Sequence, residues 1–178
     1  VLGVEAVFWL NLESNFRADL ARINGKKQIM KEIKASSQYP YSEMAKHNWV
    51  PFTRNREEKV INLRKYFGVA SLNNVENLPM VSNFRRKEIK QTSAYALMAW
   101  LRQGEIQAQD LKIEPFSLTR LKESIPFFRT LTACPVGFAS ELKVECAKCG
   151  VAVSFVPSIR GTAVHGATRW LKPDRALI

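Results

Sequence analysis

The sequence predicts a mostly α fold with a small C-terminal α+β part. Three observations carry that reading. Apolar residues recur at spacings of three and four through most of the chain, the signature of helices that bury one face. From Val151 the period shortens to two, as in Val151-Ala152-Val153-Ser154-Phe155-Val156. Helix caps and turn formers, rather than repeats or low-complexity tracts, separate the segments.

Taken in order, Glu5 to Asn24 carries Val7, Phe8, Leu10, Leu12, Phe16, Leu20 and Ile23, an amphipathic helix with Gly25 in place to end it. A second, basic helix follows from Lys26 to Ala35, and Ser42 is placed to cap a short one running through His47. Asn55 with Glu58 three residues on resembles a capping box. It opens a helix whose Val60, Leu63, Arg64 and Phe67 share a face and whose end is Gly68. The stretch from Ser71 to Phe84 reads as a short helix and then a loop. Lys87 to Gln103 reads as the longest helix, with Ile89, Tyr95, Leu97, Met98, Trp100 and Leu101 on its apolar face and Gly104 as its stop. Glu105 to Leu111 is expected to be a separate short helix. Ser117 to Thr132 is expected to be helical with a kink or restart at Ile125-Pro126, and Pro135 to Lys148 is a further helix closed by Gly150. Strands are expected at Val151 to Val156 and Thr162 to Leu171. The turn Lys172-Pro173-Asp174-Arg175 then leads into a third strand at Ala176 to Ile178. That last strand stands at the chain end, where an unpaired edge is expected. Because no initiator Met opens the chain either, it reads as a piece of a longer protein.

The 178 residues are enough to bury a core, and 46% apolar against 24% charged residues places the chain among folded domains rather than disordered ones. No apolar run approaches the roughly 18–20 residues of a membrane span, so no membrane association is expected. The net charge of +11 is spread along the chain: 16 Lys and Arg against 9 Asp and Glu up to Lys90, and 11 against 7 beyond it. Such a surface suits polyanions, whether nucleic acid or an acidic protein, yet its densest run, Arg85-Arg86-Lys87, is short.

Catalytic signatures are missing. The chain has no glycine-rich phosphate loop, no G-x-S-x-G elbow and no H-E-x-x-H helix, so it is not expected to be an enzyme by itself. Three cysteines, Cys134, Cys146 and Cys149, fit a reducing cytoplasm. The Cys146-x-x-Cys149 pair has only Cys134, His47 and His165 to complete a zinc site, and its position between a helix and a buried strand suits cysteine as a small apolar residue. No cofactor is expected in this chain.

Several segments resemble one family. Phe8 to Arg22, FWLNLESNFRADLAR, resembles the last helix of XRE-type helix-turn-helix domains in HigA-like antitoxins and related regulators. Trp49 to Leu72 and Ala94 to Ala108 (AYALMAWLRQGEIQA) resemble the helical linker of longer members. The end of the chain, with Gly166 to Leu171 (GATRWL) between two strands, resembles the opening of an ImmA/IrrE-type metallopeptidase domain, which is zincin-like. The resemblance implies three parts: residues 1–24 as the last helix of a DNA-binding domain, 25–133 as a helical linker, and 134–178 as the first part of the peptidase-like domain. It implies a cytoplasmic transcriptional regulator or antitoxin of which this chain is a central piece. In that family the DNA-reading helices precede the matching segment, and the zinc-binding H-E-x-x-H helix follows it. Zinc would therefore belong to the longer parent, and no ligand or catalytic base is carried over to any residue here. His165, Thr168, Arg169 and Trp170 would border the cleft of that domain. Phe8 and Trp9 would form an interface with the DNA-binding head or with a second copy in a homodimer. The partners implied are DNA, reached through the head, and a toxin or other protein. The alternative is a protein-interaction module that acts without DNA or catalysis.

Overall fold

The computed structural model describes residues 3–78, 93–131 and 137–178. Mostly helical, the molecule carries a small three-stranded sheet near the C-terminus, as the periodicity predicts. The first helix, α1, runs unbroken from Ala6 to Ser36. The stop expected at Gly25 and the separate helix from Lys26 are thus corrected: Gly25 keeps helical backbone angles, and a glycine ends a helix only where it turns left-handed. Beyond it, Ile29, Glu32, Ile33 and Ser36 pack onto the body of the protein, and that tertiary contact carries the helix through its weakest residue.

Helix α2 (Tyr41–Lys46) starts one residue before the expected cap, with Pro40 at the boundary and no side-chain cap from Ser42. Asn48, with φ of 57°, turns the chain out of it. Helix α3 (Arg56–Phe67) begins as predicted. Asn55 Oδ1 accepts from the Glu57 and Glu58 amides, at 2.9 and 3.4 Å. The reciprocal arm of the box runs through Thr53, whose hydroxyl accepts from the Asn55 amide and donates to the Glu58 carboxylate. Gly68, at φ 69°, closes α3, and a 3₁₀ turn spans Leu72–Asn77, capped by Ser71.

Ser93 caps helix α4 (Ala94–Gln109). The expected start of this helix at Lys87 and its residue Ile89 lie outside the described residues. Its expected stop at Gly104 is corrected, because the helix passes through Gly104 and absorbs the segment read as a separate helix from Glu105. Gly104 lies where Val156 and Leu177 press against α4, and its carbonyl accepts from Ser154 Oγ at 3.0 Å. Helices α5 (Leu118–Glu123) and α6 (Ile125–Leu131) meet at Ser124, with Pro126 in the first turn of α6, so the restart predicted at that proline is present. Helix α7 (Phe138–Lys148) follows Gly137, and Gly150 ends it at φ 85°. A Cβ on Gly150 would sit 2.1 Å from Phe116 Cα, so only glycine fits there.

Strands β1 (Val151–Ala152), β2 (Arg169–Lys172) and β3 (Arg175–Leu177) form the sheet in the order β1-β3-β2. β1 runs parallel to β3, while β2 and β3 make an antiparallel hairpin over Pro173-Asp174. Three expectations change. The strand read from Val151 to Val156 is confined to Val151–Ala152. The long strand read from Thr162 reduces to β2, since the three-residue β3 offers a ladder only to Arg169–Lys172. The last strand is also not an open edge but the centre of the sheet. The Ala176 and Ile178 amides donate to the Gly150 and Ala152 carbonyls at 3.1 and 2.9 Å, and the Ser154 amide donates to the Ile178 carbonyl at 2.9 Å.

The main core lies among α2, α3 and α4, with Met44, Val60, Leu63, Phe67 and Val75 fully enclosed and Ile159 reaching in from the loop before β2. A second cluster joins Cys146, Val151, Val153 and Ala176 under Phe116, Leu121 and Leu142. Ala108, Ala152 and Leu177 join α4 to the sheet.

Candidate functional site

Two regions differ from an ordinary solvated surface. The first is the free part of α1. Its apolar residues Trp9, Phe16, Ile23 and Met30 stand seven apart, with Leu12 and Leu20 beside them, so they form one stripe along the helix. All six are exposed, as are Phe8 and Leu10. Phe8 and Trp9 touch edge to face at 5.5 Å between centroids, which shelters each ring only from the other. Leaving such a stripe in water is unusual for a monomer.

The other end of α1 is held by a buried ion pair. Glu32 is 2% exposed. Both its oxygens accept from Arg64, at 2.9 and 2.8 Å, and they also take the Ser71 hydroxyl at 2.7 Å and the Leu72 amide at 3.0 Å. Burial pushes this carboxyl upward, but those donors outweigh burial and hold it below its usual range. Every lone-pair direction of the carboxylate is thus satisfied, the condition under which a buried charge is tolerated. The helix is pinned at one end and presents its apolar stripe at the other.

The second region lies where α4 meets the β2–β3 hairpin. Of the four residues expected to border a cleft, Arg169 lines a cavity of about 420 Å3. Its guanidinium forms an ion pair with Glu105, which also accepts from Arg102 at 3.0 Å. Trp170 points to the opposite face of the hairpin and meets the Phe116 ring edge on at 4.9 Å. His165 and Thr168 are exposed in the loop before β2. Arg102, Glu105, Lys172 and Arg175 also line the cavity; Arg102 and Glu105 were missed because Gly104 was taken as a helix end, and Lys172 and Arg175 because they were read as the ends of a turn. Read through that glycine, the i, i+3 spacing of Arg102 and Glu105 would have marked a shared face.

The C-x-x-C thiols behave as core residues. Cys146 and Cys149 are buried and unbridged, and burial pushes the Cys146 thiol up to about 11. The Ser124 hydroxyl lies 3.4 Å from Cys149 Sγ. Cys134 lies outside the described residues. His47 sits at the end of α2 against the Trp49 ring, far in sequence from His165. Among the described residues no three His, Cys, Asp or Glu side chains gather as a ligand set, and no helix is long and apolar enough to cross a membrane.

No family model, curated protein or solved structure matches this chain.

Proposed function

We propose that the chain is the connector of a cytoplasmic DNA-binding regulator of the HigA-like type, with α1 joining a DNA-reading head to a helical body and the small sheet opening an ImmA/IrrE-like domain. The observation that carries this reading is the uncovered stripe from Phe8 to Ile23 on a helix anchored at Glu32. The residues that resemble the last helix of a helix-turn-helix domain are the ones that lack a packing partner, as expected if that partner is the rest of the head. In this role the chain holds DNA only indirectly. Its +11 charge gives weak, salt-sensitive, sequence-independent attraction, while base readout belongs to helices it does not contain. The buried, unbridged thiols of Cys146 and Cys149 agree with a reducing compartment.

A mobility-shift assay at two salt concentrations tests this, with the chain alone and with the coding segment upstream of Val1 restored. The chain alone should shift any duplex at low salt and none at physiological salt. The extended protein should bind one sequence selectively. Specific, salt-resistant binding by the chain alone would overturn the proposal, and so would an upstream segment that encodes no helix-turn-helix.

A second reading, a protein-interaction module that works without DNA, is favoured by the seven-residue spacing of Trp9, Phe16, Ile23 and Met30, which also suits a helix of a toxin or a second copy. Co-purification separates the two: a tight complex of the chain with another protein, formed without a DNA-reading head, favours this alternative, whereas self-association fits both.

A further inference from the structure

The cavity between α4 and the β2–β3 hairpin has a composition that the connector role leaves unexplained. Its wall carries four permanent cations, Arg102, Arg169, Lys172 and Arg175, and one carboxylate, Glu105. That carboxylate is already shared between Arg102 and Arg169, so among the described residues of the wall one negative charge faces four positive ones. The two arginines are recessed, with side chains only 20% and 16% exposed. Arg169 Nη1 is buried against the Glu105 carboxylate. The hairpin adds a second, independent sign. Lys172 and Arg175 are direct cross-strand partners at the mouth of the cavity, and like charges placed opposite one another destabilise a sheet. Among the described residues neither of these two side chains is ion-paired. A larger recess of about 790 Å3 between α1 and α3 is also basic, but its Lys34, Arg56 and Arg160 are exposed and able to move apart in water.

We propose that this cavity binds a small organic phosphate, whose phosphate oxygens sit between Lys172, Arg175 and the recessed Arg169 while Leu171 takes its apolar portion. Planar guanidinium groups donate in pairs to phosphate oxygens, and a volume of about 420 Å3 lies within the range of small-molecule sites. Recession selects the ligand. A terminal phosphate can enter between the hairpin and α4, whereas the backbone of a duplex would meet only Lys172 at the rim.

Calorimetric titration of the full chain with inorganic pyrophosphate and with ADP, at ionic strength held constant with sodium chloride, is the test. Each should bind once per chain and saturably, with ADP the tighter of the two because of its apolar portion. The double variant K172Q/R175Q should weaken both about tenfold or more and melt no lower than the parent, since it removes a like-charge pair. The variant K34Q/R56Q, on the larger recess, should leave binding unchanged. Absence of saturable binding at millimolar ligand would overturn the proposal, as would equal weakening by the two variants. A short duplex that displaces pyrophosphate more effectively than ADP does would also overturn it, by showing a nucleic-acid surface instead.

Discussion

The two ends of α1 behave oppositely, and not as their apolar content would suggest. From Lys26 onward the helix offers Ile29, Glu32, Ile33 and Ser36 to the body, and they are taken up there. From Ala6 to Ile23 it offers more apolar surface, including two phenylalanines and a tryptophan, and all of these residues are exposed among the described residues. Hydrophobicity alone therefore does not decide which half docks. What distinguishes the halves is a polar group, the Glu32 carboxylate, which has Arg64, Ser71 and the Leu72 amide arranged around it. A buried ion pair contributes little net stability compared with an apolar filling, but it fixes one register, because any slip leaves charges buried without partners. The anchor thus sets the direction in which the free half projects.

Three experiments would break or sharpen this contrast. The largest effect should come from Glu32→Ala, which strands Arg64 and should cost about 3–5 kcal/mol, read as a fall in the chemical-denaturation midpoint of the whole body. Acid should act on the same group more gently. The folded pKa of Glu32 lies below its unfolded value, so its contribution is complete above the unfolded carboxylate value of about 4.3 and is lost as pH falls through the folded value. A stability profile from pH 6 to 2 should drop at its acid end in the parent and flatten there in Glu32→Gln. The smallest effect on folding should come from Phe16→Ser with Ile23→Ser, within about 0.5 kcal/mol of the parent in the chain alone. Under the proposed connector role the same pair should abolish docking of a DNA-reading head, and a melting point lowered by several degrees would mean that the stripe is already packed.

Much of the architecture was legible in the residues. Asn55 and Gly68 bounded α3, Pro126 restarted a helix, Gly150 ended α7, and the change of period at Val151 marked the sheet. Two glycines misled. Gly25 and Gly104 carry the same letter as Gly68 and Gly150, but a glycine stops a helix only where the backbone turns to positive φ; packing on both sides keeps Gly104 helical, and at Gly25 the docked turns from Ile29 onward do so from one side. The second misreading hid the basic cavity by placing Arg102 and Glu105 on different elements. Pairing of the last strand was illegible for another reason. β3 lies between β1 and β2, and its parallel contact with β1 spans a connection of more than twenty residues with no local signature. The exposed stripe was readable from spacing, whereas its anchor was not, because Glu32 and Arg64 stand 32 residues apart.

Hydrogen exchange of the backbone amides along α1 tests the central claim most directly. For the chain alone, the account predicts fast exchange from Val7 to Ile23 and slow exchange from Ile29 to Ser36. Under the proposed connector role, extending the protein with a DNA-reading head should slow the first stretch and leave the second as it was. Slow exchange along all of α1 in the dilute monomer, or a first stretch indifferent to the restored head, would contradict it.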